Sequence, residues 1–210
     1  MIRSIAKLAT ISAVLYLTCA ICSLAASAQP IGLQCDPAQT TAKFTLGDVL
    51  HTVHGSFKVK RCQINFDPVS SKVNGEIVFD AASGNSGSAG RDRKMQKNVL
   101  ESTRYPEITF RPDRVEGKVA PTGTSLVQVS GPFWIHGAAH EMTVPVQFDL
   151  EPQHWTAAAH FPVPYVKWGM KNPSVLFLRV GDTVNIDFQG AGGAKRISES
   201  TFSSVAGTQP

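Results

Sequence analysis

The sequence predicts an all-β fold, an antiparallel up-and-down β-barrel of about eight strands with one short helix. Three observations predict it. From residue 34 to 189 the apolar residues recur mostly every second position, the strand period. Turn-forming residues separate these runs at short intervals, which favours antiparallel neighbours. Only one short stretch shows helical spacing. The chain has 210 residues, 42% of them hydrophobic and 17% charged, enough for one domain with tails. A closed sheet of about eight strands is economical because it leaves no unpaired edge.

The N-terminus reads as an address rather than as fold. Arg3 and Lys7 precede an apolar stretch from Leu8 to Ala26, and Ala26-Ser27-Ala28 is a small-residue cleavage signal. Residues 1–28 are expected to be a secretory signal peptide. The apolar stretch is also long enough for a retained anchor, and the cleavage signal favours removal. Cys19 and Cys22 are not preceded by the small residue that a lipoprotein signal needs. Removal lowers the formal net charge from +4 to +2, because Arg3 and Lys7 leave and no acid does. That balance gives no electrostatic footprint for nucleic acid. The mature protein is expected to be periplasmic or secreted, with no stable membrane span. Its barrel domain covers residues 29–190, and a Gly/Ser/Ala-rich tail over 191–210 is expected to be disordered.

Only Cys35 and Cys62 remain after cleavage. In an oxidising compartment they are a candidate disulfide across 27 residues. Two free buried thiols fit the sequence equally well.

The strands follow in order. Ala42, Phe44 and Leu46 share one parity, as do Val53, Gly55, Phe57 and Val59. The apolar phase then slips to Cys62, Ile64 and Phe66, which predicts a bulge near Lys60-Arg61. Val73, Ile77 and Phe79 oppose Asn74, Glu76 and Asp80. A loop, Ser83 to Gly90, leads to the helix expected over residues 93–101, with Asp92 as its cap and Met95 and Val99 as its apolar stripe. Tyr105-Pro106 ends it. Ile108 and Phe110 mark a short strand; Val127, Val129, Phe133 and Ile135 a longer one. Thr143 to Leu150 alternates strictly. Trp155 to Tyr165 carries Pro162 and Pro164 on its second face, which suits an edge or a loosely paired end. Val184, Ile186 and Phe188 form the last strand.

Four segments resemble the YceI-like family. Gly90-Arg91-Asp92-Arg93-Lys94-Met95 is similar to its G-R-D-x-H-L element, with Lys-Met where His-Leu is usual. Tyr105-Pro106-Glu107-Ile108-Thr109-Phe110 resembles its Y-P-x-I-x-F, Phe133-Trp134-Ile135-His136-Gly137 its L-T-I-H-G, and His54-Gly55-Ser56-Phe57 its x-G-x-F. The likeness runs over about residues 34–190. It implies an extended lipocalin-like barrel, often exported to the bacterial periplasm, that takes polyisoprenoid lipids, including isoprenoid quinones, into its interior.

The residues support that expectation independently. The inward parity collects Phe44, Phe57, Val59, Ile77, Phe79, Ile108, Phe110, Phe133, Ile135, Val146, Phe148, Ala157, Phe161, Ile186 and Phe188 as a candidate lipid-binding wall. Small residues among them (Ala42, Gly55, Gly75, Ala157 and Ala159) leave room for a guest, although a small barrel can also be filled by its own side chains. The basic cluster Arg91, Arg93, Lys94 and Lys97 could face a lipid headgroup or phosphate at the barrel mouth, with Arg91 and Arg93 as the first candidates. The plain alternative is a solvated helix face with either arginine paired to Asp92 or Glu101.

Other chemistries find less support. His51 and His54 have opposite parity, His136 and His140 flank a turn, and no metal-ligand motif is present, so no metal or other cofactor is expected. Ser86-Gly87-Ser88-Ala89-Gly90 is not a nucleophile elbow. The sequence thus predicts a non-enzymatic carrier or sequestering protein whose partner is an isoprenoid or similar amphiphilic lipid. A homodimer is compatible with it. The competing expectation is a barrel with a packed interior that binds a protein or envelope polymer through its surface.

Overall fold

The computed structural model describes residues 29–47, 52–174 and 179–206. The expected signal segment and His51 lie outside them, and no helix among the described residues is long and apolar enough to cross a membrane. Eleven strands form one antiparallel sheet: β1 (Ile31–Cys35), β2 (Thr41–Gly47), β3 (Thr52–Phe57), β4 (Val59–Phe66), β5 (Val73–Asp80), β6 (Glu107–Phe110), β7 (Arg114–Glu116), β8 (Gly123–Ile135), β9 (Ala138–Leu150), β10 (His154–Val163) and β11 (Val184–Arg196). Eight of them close a ring in the order β1-β4-β5-β6-β8-β9-β10-β11, with β11 returning to β1. The hairpin β2–β3 continues one side of this wall, because β2 pairs the first half of β11 and β1 pairs the second half.

Alternation builds the barrel as the sequence predicts. In β10 the odd-numbered residues from Trp155 to Val163 are buried or half-buried, and Thr156, Ala158, His160 and Pro162 are exposed. The phase slip is a real bulge: Val59 pairs Phe79 and Arg61 pairs Val78, leaving Lys60 as the extra residue. The pairing of β10 with β9 ends at Ala159, so Pro162, which lacks an N–H, faces no partner on that side. His136 and Gly137, with φ of 53° and 79°, make the two-residue turn between β8 and β9.

Three expectations need correction. β1 and β7 are additional strands. The helix α1 (Ala89–Lys94) starts earlier than residue 93, follows Ser88 rather than Asp92, and continues as a wide π-helical turn over Met95–Val99. The segment after residue 190 is ordered through residue 206: β11 runs to Arg196, and α2 (Glu199–Ala206) follows. Its glycines are strand glycines. A Cβ on Gly192 would lie 1.9 Å from the Gln34 carbonyl, so β1 and β11 approach closely here only without a side chain. α2 lies over β5, where the buried Asn65 donates to Asn74, and Asn74 donates to the Phe202 carbonyl.

A disulfide joins Cys35 on β1 to Cys62 on β4, with Cα atoms 5.4 Å apart. It sits in a buried cluster with Phe66, Leu150 and Trp155. Outside the barrel, Arg61 bridges Glu76 and Glu107 across β4, β5 and β6, with two bonds to Glu107, and Lys60 adds a third. These cations hold the Glu107 carboxyl at about 2.

Candidate functional site

The inward residues do not fill the barrel. They enclose a cavity of about 640 Å³ that runs along both buried clusters. That is within the usual size of a small-molecule site. The packed interior that the sequence left open is therefore not what this chain forms.

Every residue of the predicted wall lines this cavity except Val59. Val59 stands beside the bulge, half-buried, and packs against both clusters instead. The phenylalanines contact one another at the wall. Phe44 and Phe57 sit 5.4 Å apart on neighbouring strands. Phe79 and Phe188, from β5 and β11, meet edge to face at 6.2 Å and narrow the lumen. Ala42, Ala157 and Ala159 line the space as expected. Gly55 and Gly75 do not: a Cβ on Gly55 would meet the Phe44 ring, and one on Gly75 the Gln63 carbonyl. These two glycines admit neighbours, not a guest.

The polar lining is confined to one end. Ser86, Arg91 and Lys94 border the cavity there, next to Met95 and Val99. Arg91, Lys94 and Met95 are three and four positions apart, so they share a helix face. Arg93 lies off that face, is exposed, and does not line the cavity. Helical phase thus puts Arg91 and Lys94 of the basic cluster on the cavity wall and leaves Arg93 and Lys97 off it. Arg91 is not paired to Asp92 or Glu101. Its Nε donates to Ser86 Oγ at 2.7 Å and its second terminal nitrogen to the Ser86 carbonyl at 2.8 Å. Asp92 accepts from the Ser86 amide and hydroxyl. The whole loop is fastened to β3 by reciprocal backbone bonds between Ser56 and Asn85. Arg91 and Lys94 are exposed while they line the cavity, so the cavity reaches solvent at this end.

Residues 164–174 cross the same end of the barrel. Tyr165, Met170 and Pro173 face the cavity. The Tyr165 hydroxyl donates to the Gly181 carbonyl at 2.8 Å, and burial pushes its pKa up to about 12. Trp168 stacks on His140 at 4.2 Å, nearly parallel. Desolvation lowers the His140 pKa, and its Nε2 is buried without a hydrogen-bond partner. His136 instead packs on Tyr105, with Nε2 3.4 Å from Glu101 but not hydrogen-bonded to it. The two histidines do not converge, and the described residues hold no cluster able to bind a metal ion. Sequence reading put Tyr165 on the inward parity of its run without assigning it to the wall, and it missed Trp168 and Met170, which sit in an irregular segment with no period to follow.

A closed antiparallel barrel with an apolar cavity, open beside a short helix, is a lipocalin-like binding architecture. The chain belongs to the YceI-like domain family, whose model matches residues 33–191. No curated protein matches in sequence. Solved structures share the fold. BcnA of Burkholderia cenocepacia is 21% identical, with a TM-score of 0.61, covering 75% of this chain and 99% of its own. A polyisoprenoid binding domain from Saccharophagus degradans implicated in plant cell wall breakdown is 14% identical, with a TM-score of 0.60, covering 80% and 98%. A Campylobacter jejuni YceI protein is 16% identical, with a TM-score of 0.50, covering 67% and 82%.

Proposed function

We propose that this protein is an exported, non-enzymatic carrier or sequestering protein for a polyisoprenoid or isoprenoid-quinone-type lipid. The prenyl chain lies in the barrel among Phe79, Phe133 and Phe188, and its polar end rests beside Ser86, Arg91 and Lys94. One observation carries the reading: the cavity is apolar along its length and polar at one end only. The other polar atoms on its wall already donate within the protein, Tyr165 to Gly181 and Trp155 to Gln34. A guest inside is therefore held by burial. Each isoprene unit contributes about 4 kcal/mol at ~0.8 kcal/mol per buried carbon, before ordering costs.

The remaining features agree with a carrier. Ser86, the one serine on the wall among the described residues, is bonded to Asp92 and Arg91 rather than to a histidine base. The Cys35–Cys62 disulfide suits an oxidising compartment outside the cytoplasm. The polyisoprenoid-binding description of the Saccharophagus neighbour points the same way.

The test is to purify the mature protein without detergent from a bacterial periplasm, extract it with organic solvent, and identify the extract by mass spectrometry. A prenyl lipid near one per protein is expected. Repeated absence of lipid, together with no binding of added geranylgeraniol to the extracted protein, overturns the proposal and favours a surface-binding role.

A further inference from the structure

We infer that the face of the barrel around the cavity opening docks reversibly on an anionic lipid bilayer. Docking does not depend on what the cavity holds; its use in loading and unloading a lipid rests on the carrier reading. Charge is unevenly placed along the chain. Two segments, residues 89–106 with α1 and residues 164–182 from the strap to the start of β11, carry eight cations and three acids, a net of +5. The other residues from 29 onward carry ten cations and thirteen acids, a net of −3. Residues 48–51, which link β2 to β3 and lie outside the described ones, include one acid by sequence, Asp48; counted with the two segments it leaves +4. Residues 175–178, also outside the described ones, are uncharged by sequence.

The fold brings the two segments together. Val99 and Leu100 of the first pack in the same buried cluster as Tyr165 and Met170 of the second. Arg91, Arg93, Lys94 and Lys97 are exposed on the first, and Lys167, Lys171 and Arg179 on the second. Among the described residues none of these seven makes an ion pair. The local acids are engaged elsewhere: Asp92 accepts from the Ser86 amide and hydroxyl, Asp182 from Asn172, and Glu101 lies beside His136. On the side of the barrel, in contrast, Arg61, Arg111 and Arg114 each meet a glutamate.

Unpaired cations spread over two elements suit an extended anionic surface. A bilayer with anionic lipid meets them all at once, and each adds its own attraction to the surface potential. The same face gives access to the cavity, because Arg91 and Lys94 are exposed and line it. With that face on the membrane, a lipid chain passes between bilayer and barrel with little exposure to water. No large hydrophobic side chain of the two segments is exposed among the described residues, so the hold is electrostatic and salt releases it.

The experiment is flotation of the mature protein with vesicles of phosphatidylcholine alone and of phosphatidylcholine with about one third phosphatidylglycerol. At low salt, binding to the anionic vesicles is expected to exceed binding to the neutral ones at least about tenfold, and to vanish near ~0.5 M salt. Arg93→Glu with Lys97→Glu is expected to lose most of that binding and to leave the calorimetric affinity for geranylgeraniol, measured without vesicles, unchanged. Both residues lie off the cavity wall and make no bond among the described residues. Lys167→Glu with Lys171→Glu is expected to weaken docking in the same way. Lys118→Glu with Lys195→Glu makes the same change of charge beyond the opposite ends of β8 and β11, and is expected to keep the docking. Equal binding to both vesicles, binding to neither, rim variants that dock like the wild type, or an equal loss in the Lys118 and Lys195 variant overturns the inference. Binding to neither vesicle while geranylgeraniol still binds leaves the carrier reading standing and turns this face toward an acidic protein. Docking by a protein that takes up no geranylgeraniol keeps the inference and removes the carrier reading.

Discussion

Gly55 and Phe44 share one space: a Cβ on Gly55 would lie 2.3 Å from Cζ of Phe44 and 2.5 Å from the Asn85 carbonyl. The Phe44 ring enters the wall over the backbone of β3, and the 84–88 loop closes on that strand from its other side. Gly55→Ala is therefore expected to destabilise the protein by about 1–3 kcal/mol, the usual range for overpacking. Urea unfolding checks this. An unchanged midpoint contradicts the packing described here.

The disulfide ties β1 to β4 within the buried cluster that holds Phe66, Leu150 and Trp155. Closing a loop of this length contributes about 3 kcal/mol on the chain-entropy model. Cys35→Ala with Cys62→Ala is expected to lower stability by that order and to leave the polar end of the cavity intact. Parallel unfolding curves of the oxidised and reduced wild type give the same difference. Coincident curves would show that the bridge adds nothing.

His140 gives the stability a pH dependence of known sign. Desolvation holds its folded pKa below the ordinary 6.5. The unfolded state therefore binds more protons in the window below 6.5, and the contribution of neutral His140 is present above 6.5 and lost as pH falls through its folded pKa. His140→Phe keeps an aromatic ring against Trp168 and is expected to flatten that part of the profile. Thermal melts from pH 7.5 to 5 in both proteins measure it. An identical acid slope in the variant would assign the effect elsewhere.

Ala159 faces the cavity between Val146 and Phe188 on the flanking strands. Ala159→Phe places a ring in space that a prenyl chain needs. We expect at least a tenfold loss of lipid affinity with less than about 3 kcal/mol of destabilisation, since the ring enters a void rather than a filled core. Unchanged affinity in a folded variant would place the lipid somewhere else.

What the sequence revealed followed its periodicity. Strands with one wet face announce themselves at every second residue, so Val144 to Leu150 and Trp155 to Val163 were legible, and with them almost the whole cavity wall. The Lys60 bulge was legible because a slip of one residue moves every later side chain to the other face. Glycine misled twice. Gly190, Gly192 and Gly193 read as part of a disordered tail but belong to β11, where close backbone approach excludes a side chain at Gly192. Gly55 read as spare room but accommodates the Phe44 ring. Which members of the basic cluster line the cavity was not legible, because helical phase depends on where α1 begins. The strap over the cavity end, with Trp168 on His140, has no period and was not legible at all.

The central claim is that the lumen between Phe79, Phe133 and Phe188 takes a prenyl chain. The most direct measurement is an isotope-filtered NMR experiment on delipidated protein with geranylgeraniol. Contacts between the prenyl methyl groups and these three rings are the result predicted here. Contacts only with outward side chains such as Leu126 and Trp134, which are exposed on β8, would contradict it.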